Sequence, residues 1–190
     1  MDKFIQRKES ILNKKDKSAK KSWDERIIPL CNLINSFSNY YTTSSCSGKS
    51  VIMEEKTGKD GSYYFWQSHK LINLVEVKSE LNRLPKNGIF KYKLEAPIIF
   101  VACKDIESAK EIFSLAVLAG FKESGIKITK SLIGVEIKSG EKFEFPISLD
   151  NKILVSDDYL KVVVDLSNKK RKIGWKKIEN FYFLMNSKDN

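Results

Sequence analysis

Small polar residues and a lysine lie together in the stretch TTSSCSGK, residues 42–49, which we call the octet. Apolar and β-branched residues precede and follow it, so the pattern predicts a connection between two strands. Hydroxyl and backbone N–H groups beside the cation of Lys49 suit a carboxylate or a phosphate. An ordinary serine-rich hairpin is the alternative, and spacing alone favours that alternative.

The only histidine of the chain, His69, ends the stretch YYFWQSH. Histidine is the side chain whose unperturbed pKa lies closest to neutrality, which makes it the default proton acceptor. A lone histidine after a strand is nevertheless more often a structural residue. The alternation of this strand predicts one face that carries Tyr64, Trp66 and Ser68.

The three cysteines, Cys31, Cys46 and Cys103, form no C-x-x-C pair. An odd number without that spacing predicts neither a disulfide framework nor a zinc ribbon. Carboxylates would have to supply nearly all the ligands of a metal ion, and no acidic cluster has the spacing, so we expect no metal. Cys46 lacks a histidine and an orienting carboxylate at a recognisable spacing, so we expect a small buried residue and not a nucleophile.

The chain carries a formal net charge of +10. A surplus of this size raises the local concentration of polyanions, nucleic acid above all. Lysines scattered over a solvated surface are the alternative, but the positive charges are also clustered. One cluster occupies residues 14–21, and the other is the basic stretch NKKRKIGWKK, residues 168–177.

The 190 residues suit a single domain or two tightly joined halves, and 42% hydrophobic residues allow a substantial core. The longest apolar stretch, residues 112–121, is shorter than the roughly 20 residues that span a bilayer. The N-terminus MDKFIQRKES lacks the apolar core of a signal peptide, so we expect a cytoplasmic protein without a membrane partner.

Hydrophobic periodicity predicts helices that alternate with antiparallel-looking strands, which indicates an α+β fold and not a doubly wound parallel sheet. Pro29 should either kink its helix or delay the start of that helix. Helices are expected near residues 2–14, from a Ser22–Glu25 capping box through Ile34, from Leu74 to before Pro85, from Asp105 to Gly120, and over 156–186. Strands are expected near 40–44, 50–55, 62–68, 89–94, 97–103, 125–130, 133–138 and 143–149.

A weak internal symmetry relates SCSGKSVIM in the first half to KESGIKITK in the second. Each follows a helix and contains Ser-Gly, a lysine and an alternating strand, which indicates a duplication. We therefore expect one domain with pseudo-equivalent halves, about 20–85 and 89–150, and a C-terminal helical segment 156–186. The two Ser-Gly pairs would then face one another across a cleft. No dinucleotide fingerprint, P-loop or nucleophile elbow occurs, so a Rossmann-type site is not expected.

Four motifs, DKSAKKSWD, the octet, WQSH and GFKESGIK, resemble the tRNA wybutosine-synthesising protein 3 family. The likeness extends through KLEAPIIFVACKDIESA and GVEIKSG and covers roughly residues 4 to 150. It implies an S-adenosylmethionine-dependent methyltransferase that acts on the N-4 nitrogen of the tricyclic wyosine precursor at position 37 of phenylalanine tRNA, beside the anticodon. It also implies a non-Rossmann α+β fold built by duplication.

Three lysines depart from the family pattern. Lys49 and Lys122 stand where the family has arginine, and Lys21 stands where it has glycine. Lysine keeps the positive charge but lacks the bidentate fork of arginine, which affects how a bound anion is held.

With this resemblance, we assign His69 as the base that accepts the proton of the methylated nitrogen, with Asp24 as the alternative. Lys49 and Lys122 are expected to hold a carboxylate or a phosphate, and Trp66 is expected to stack on the tricyclic base. The predicted cofactor site comprises Ser44, Ser45, Cys46, Ser47, Gly48, Lys49, Ser124 and Gly125. The predicted RNA contacts are Trp66, Lys20, Lys122, Lys170, Arg171 and Trp175.

Two other classes of function stay open at this point. An RNA-binding module without chemistry needs only the basic and aromatic residues. A small-molecule or phosphate-sensing domain needs only the octet and has no dependence on tRNA. Direct binding of S-adenosylmethionine separates the enzyme from the RNA-binding module.

Overall fold

The computed structural model describes residues 2–13, 24–55 and 63–187. The basic cluster of residues 14–21, with Lys20 and Lys21, lies outside the described residues. So does the predicted cap at Ser22.

The described residues form helices and antiparallel strands, so the predicted α+β class is confirmed. None of the helices within those ranges is both long and apolar enough to cross a bilayer. The helices are α1 Lys3–Leu12, α2 Ile28–Ser36, α3 Leu74–Leu81, α4 Ile106–Leu118 and α5 Asp157–Asn186. The strands are β1 Tyr40–Cys46, β2 Lys49–Glu54, β3 Tyr64–Ser68, β4 Ile89–Glu95, β5 Ile98–Cys103, β6 Gly125–Ile128, β7 Ile133–Lys138, β8 Phe143–Leu149 and β9 Lys152–Ile153.

Helix ends follow the local signals in the sequence. Pro29 lies in the first turn of α2, where its missing N–H leaves no backbone hydrogen bond unmade, so the delayed start is the correct alternative. Asp105 caps α4, because its Oδ1 accepts a hydrogen bond from the Ser108 N–H at 2.8 Å. Gly120 follows α4 with a φ of 103°, a left-handed conformation that favours glycine at a helix end.

The chain folds into two compact units, and neither is a continuous half of the chain. The first unit comprises Met1–Ser47, Pro97–Gly140 and Gly174–Asn190, and the second comprises Gly48–Ala96 and Glu141–Ile173. Strand pairing and not chain order defines each unit. β1 pairs with β5, whereas β2 pairs with β3 and β4. The alternative interpretation of the octet as a serine-rich hairpin is therefore wrong, since β1 and β2 belong to different sheets. The pseudo-equivalence of two halves stays a prediction.

The first unit has a four-stranded antiparallel sheet with the order β1-β5-β7-β6. Phe4 of α1 contacts Tyr41 on one face of this sheet, and α2 and α4 pack on the other face. Alternate residues of the two central strands face these helices, so the apolar side chains of sheet and helices form one core. Its fully buried members include Leu30, Ile34, Ile99, Val101, Ile112, Ala116, Phe121, Val135, Ile137 and Phe181. The core therefore fixes one end of β1, which carries most of the octet.

In the second unit, the sheet has the order β3-β2-β4-β8-β9, with every pair antiparallel. α3 and the part of α5 that belongs to this unit supply the apolar residues that pack on it. The core comprises Ile52, Ile72, Val77, Leu81, Phe90, Tyr92, Leu94, Ile147, Leu160, Val163 and Val164. This core holds β2 and β3, which carry Lys49 and lead to His69.

A bulge in β3 changes which side chains share a face. Trp66 pairs with Ile52, whereas Tyr64 pairs with Met53, so β3 gains one residue relative to β2. Trp66 packs on the buried cluster of the second unit, and Tyr64 lies against the ammonium of Lys49. The predicted sharing of one face by Tyr64 and Trp66 is wrong, because one inserted residue reverses the alternation.

The close approach of β5 and β7 at Gly134 gives a test of the first sheet. A Cβ atom at Gly134 would lie 2.8 Å from the Val101 carbonyl oxygen and 2.9 Å from the Phe100 ring. Gly134→Ala should lower the free energy of unfolding by about 1–3 kcal/mol in urea denaturation, because the backbone cannot move aside cheaply. Gly125→Ala is the matched control on the same sheet, since nothing lies within 4 Å of its Cβ position. Equal losses in both variants would contradict the register of β5 on β7.

Candidate functional site

A bulge divides the side chains of the octet between the two faces of the first unit's sheet. The register of β1 on β5 slips by one residue between Thr42 and Ser44, so Thr43 is the additional residue. Thr42 and Ser45 consequently face α2, whereas Ser44 and Cys46 lie on the opposite face. The octet does not present all its hydroxyl groups to one ligand.

The helix-facing residues of the octet contact Cys31 of α2. Burial raises the pKa of Cys31 to about 11, and hydrogen bonds with Ser45 and Thr42 offset only part of that rise. The thiol of Cys31 is therefore protonated at neutral pH. Ser45 is half-buried and contacts Cys31, and its predicted contact with the cofactor stays a prediction.

The carboxylate of Asp24 holds the end of β1. Its Oδ2 accepts one hydrogen bond from the Ser47 N–H at 3.1 Å and another from Ser47 Oγ. Its Oδ1 accepts a third, from the Arg26 N–H at 3.3 Å. Because Ser47 is fully buried, bonds to a charged acceptor are stronger here than at an exposed position. Asp24, the last residue of the motif DKSAKKSWD, thus lies in one polar cluster with Ser47 of the octet.

Gly48 is the residue at which the chain leaves β1 and enters β2. Its φ is 92°, in the left-handed region where a side chain would be strained. It is also buried. The glycine of the octet is therefore required by the backbone conformation at this position.

The second predicted Ser-Gly pair lies at the same end of the first unit's sheet as the octet. Cys46 pairs with Ile98, and Ile98 pairs with Lys138. The Lys138 N–H donates to Ser124 Oγ at 3.1 Å, and Gly125 begins β6. Two strands separate β1 from β6, so the pairs lie about 14 Å apart along one sheet end. They stand side by side along that end and do not face one another across it.

The hydroxyl of Ser124 closes the turn that precedes β6. Besides accepting from the Lys138 N–H, it donates to the Phe121 carbonyl oxygen at 2.7 Å. Its donor is therefore used within the protein. Lys122 in the same turn is exposed, and its role as an anion contact stays a prediction.

In the second unit, Lys49 lies among three polar partners at the beginning of β2. Its Nζ donates to Gln67 Oε1 at 3.1 Å, lies 3.6 Å from Glu95 Oε2, and lies 4.0 Å from the centroid of the Tyr64 ring. Its side chain is only 15% exposed. A ligand anion at Lys49 must therefore compete with Glu95. The sequence analysis missed Gln67 and Glu95 as partners of Lys49. The only signal for Glu95 was the stretch KYKLE on β4, in which charged residues occupy alternate positions.

His69 follows β3 at the start of a segment without helix or strand that extends to Asn73, the N-cap of α3. The imidazole is half-buried. Trp66, predicted to stack on the substrate base, is half-buried and packs against the buried cluster of the second unit. Its contact with a base stays a prediction.

The basic stretch combines buried and exposed residues. Arg171 is 3% exposed and Trp175 is 8% exposed, so burial favours structural roles for both. The guanidinium of Arg26 lies 3.7 Å from the centroid of the Trp175 ring and covers it further. Lys170 is half-buried, and the exposed lysines of this stretch are Lys169, Lys172 and Lys176. Clustering in the sequence therefore overstated the charge available to RNA.

Comparisons with known proteins agree over most of the chain. A sequence model of the family described as Methyltransferase TYW3 matches residues 6–187. A Methanocaldococcus jannaschii protein named tRNA(Phe) 7-((3-amino-3-carboxypropyl)-4-demethylwyosine(37)-N(4))-methyltransferase is 42% identical over 153 residues, 78% of this chain and 79% of that protein. The tRNA wybutosine-synthesizing protein 3 homolog of Danio rerio is 32% identical over 186 residues, 95% of this chain and 73% of that protein. The solved structure of the PH1069 protein from Pyrococcus horikoshii has a TM-score of 0.87 and 31% identity, with 96% of each chain covered.

The three cysteines test the two faces of the octet strand. Burial raises the pKa of Cys103 to about 12 and that of Cys31 to about 11, so neither forms a thiolate near neutral pH. Cys46 is half-buried. In the native protein at pH 8, iodoacetamide should label Cys46 first, with Cys31 and Cys103 labelled only after denaturation. Peptide mapping by mass spectrometry reads the order. Early labelling of Cys31 would contradict the placement of Ser45 beneath α2.

Proposed function

Because the chain belongs to the methyltransferase TYW3 family, we propose that it methylates the N-4 nitrogen of a 4-demethylwyosine base at position 37 of tRNA(Phe). The family expected from the four motifs is confirmed. The observation that carries the proposal is the extent of the family match, residues 6–187, which includes Asp24, the whole octet and His69. The reaction itself is the one that the name of the Methanocaldococcus jannaschii relative states for that protein.

S-adenosylmethionine, when bound, supplies a methyl group on a sulfonium sulfur, a leaving group that needs no protonation. The first unit offers residues that fit such a molecule. The Asp24 carboxylate next to buried Ser47 suits ribose hydroxyls or an ammonium group. Ser44 and Cys46 are small side chains on the face of the sheet opposite to α2. We assign these residues the cofactor contacts and give Ser45 and Ser124 supporting positions.

The neighbours and exposure of the remaining predicted residues indicate how each could contact a ligand. Lys49 would hold the carboxylate of the methyl donor only in competition with Glu95. Gly125 has open space at its Cβ position, so its backbone is accessible to a ligand. Lys122 is exposed and supplies a positive charge in the same turn.

Methylation of the ring nitrogen requires a base. The nitrogen forms its bond to the methyl carbon as that carbon's bond to sulfur breaks, and the nitrogen's proton must then be accepted. His69 fits this role as the only histidine of the chain. Asp24 is the weaker candidate, because its carboxylate already accepts hydrogen bonds from Ser47 and from the Arg26 N–H. Positioning of the two reactants supplies much of the remaining acceleration.

We assign the contacts with tRNA phosphates to exposed lysine side chains. Lys169 and Lys172 lie three residues apart on α5 and share one face of this helix, with Lys170 half-buried beside them. Phosphate contacts of this kind need charge and access but no fixed geometry. Arg171 has the charge but is buried, and Trp175 is both uncharged and buried, so neither residue meets both requirements.

The direct test is methyl transfer from labelled S-adenosylmethionine to tRNA(Phe) that carries the 4-demethylwyosine base. Label should enter this tRNA and should not enter the same tRNA already methylated at N-4. Calorimetry should detect binding of S-adenosylmethionine to the protein in the absence of tRNA. An RNA-binding module would bind tRNA but neither bind the methyl donor nor transfer label, which would overturn the proposal. A phosphate-sensing domain would show no dependence on tRNA.

Loss of the polar cluster at Asp24 should weaken cofactor binding. Asp24→Asn and Ser47→Ala each remove a hydrogen bond to a charged group, so calorimetry should show S-adenosylmethionine affinity reduced by roughly tenfold or more. Ser36→Ala is the matched control, since its exposed hydroxyl bonds only its own helix. Unchanged affinity in folded Asp24→Asn and Ser47→Ala proteins would remove the octet from the cofactor site.

Neutralising the accessible cations should weaken tRNA binding. Changing Lys169, Lys170 and Lys172 together to Gln, with Arg171 retained, should lower affinity and flatten the slope of log K against log salt by up to about 3, roughly one for each phosphate contact. Cofactor affinity should not change. The control is the triple change of Lys104, Lys110 and Lys130 to Gln, which removes the same charge from other exposed positions. If the slope of log K against log salt is equal for the two triple variants, these α5 lysines are solvated surface residues without a specific role in tRNA binding.

Removal of the imidazole should change the pH profile. If His69 accepts the proton, kcat should rise with pH as an imidazole loses its proton, near pH 6 to 7 for the free side chain. His69→Ala should abolish this rise and lower kcat by roughly 10²–10⁴-fold. His69→Asn should do the same if proton transfer matters, and should retain activity if the ring only donates a hydrogen bond. A wild-type pH profile in His69→Ala would transfer the role to Asp24 or to water.

A further inference from the structure

The segment of residues 69–73 joins β3 to α3 without regular secondary structure. Backbone groups in such a segment lack the partners that a ladder or a helix provides, so something else must satisfy and hold them. The segment begins with His69. Its rigidity therefore determines how well the imidazole is placed.

Arg171 of α5 binds the backbone on both sides of His69. Its Nη1 donates to the Ser68 carbonyl oxygen at 2.8 Å and to the Lys70 carbonyl oxygen at 2.6 Å. Its Nη2 donates to Ser50 Oγ on β2 at 2.6 Å. One planar guanidinium thus connects the segment that carries His69 to the interior of the second unit, and only 3% of this arginine is exposed.

Asn168, one turn earlier on α5, binds the same segment at its other end. Its Nδ2 donates to the Ile72 carbonyl oxygen at 2.8 Å, and its Oδ1 accepts from the Ile72 N–H at 3.0 Å. Both backbone groups of Ile72 are therefore satisfied by one side chain. We call Arg171 and Asn168 the α5 clamp.

A buried hydroxyl chain supports the arginine from behind. Ser50 Oγ lies 2.8 Å from the Tyr92 hydroxyl, which lies 2.7 Å from Ser167 Oγ on α5. All three hydroxyl-bearing residues are buried. A network of this kind restricts each member to one rotamer, so the guanidinium has little freedom to move.

We propose that the α5 clamp is a positioning device for His69, with Arg171 as the principal member because its two carbonyl contacts flank the histidine. The inference rests on the proposed function only for its catalytic consequence. The geometry requires the planar fork of arginine: a lysine ammonium offers three donors from one point and cannot reach both carbonyls and the Ser50 hydroxyl in one plane.

The single histidine makes the test direct, since protein labelled with ¹³C-histidine gives one imidazole resonance. Arg171→Gln should shift this resonance toward its value in the urea-unfolded chain and lower kcat by ten- to a hundredfold, the scale of a misplaced catalytic group. The KM for S-adenosylmethionine should stay unchanged. Arg171→Lys should behave like Arg171→Gln, because charge alone does not hold the segment. Arg83→Gln is the matched control, since Arg83 is an exposed arginine of the same unit paired with Glu80.

Three further results decide the matter. A folded Arg171→Gln protein with the wild-type resonance and the wild-type kcat would overturn the proposal and leave Arg171 a packing residue. If Arg171→Gln does not fold, Ser50→Ala and Asn168→Ala remove single contacts and should move the resonance in the same direction by a smaller amount; no movement in either would overturn it equally. A shifted resonance with unchanged kcat would support the positioning and refute His69 as the base, which keeps the two hypotheses separate.

Discussion

The change of sheet within the octet is the constraint on which the rest of the structure depends. β1 pairs with β5 in one sheet and β2 pairs with β4 in another, so the chain changes sheets between Cys46 and Lys49. Gly48 allows this change with a φ of 92°. Asp24 holds the preceding residue, Ser47, by accepting a hydrogen bond from its backbone N–H. Small residues are required because a larger side chain at a buried, left-handed position would be strained.

At both predicted functional segments, polar side chains form the hydrogen bonds to backbone groups that a helix or a sheet would otherwise provide. Asp24 satisfies the Ser47 N–H where β1 ends, and Arg171 and Asn168 satisfy backbone groups after β3. Each of these partners comes from a distant part of the sequence. Buried hydrogen bonds of this kind are costly to leave unmade, so they restrict irregular segments as strictly as a sheet does. Irregular backbone can therefore carry chemistry with a defined geometry.

Periodicity and capping signals predicted most elements within a few residues, because they act over one or two turns of chain. The cap at Asp105, the glycine after α4 and the start of α2 at Pro29 are local effects of this kind. The failures are also physical. Alternation across Tyr64 and Trp66 failed because a bulge adds one residue, and nothing in the local sequence marks it.

The sequence by itself determined the α+β class, the family and the residue types of the candidate site, since these follow from periodicity and from contiguous motifs. Only the tertiary structure decided which of those residues are accessible. Arg171 and Lys172 are neighbours in one basic stretch, yet one is buried with its guanidinium on backbone carbonyls and the other is exposed. Successive residues of a helix point about 100° apart, so packing on one side separates a structural cation from a surface cation. Charge is a property of sequence, whereas burial and partners depend on residues far along the chain.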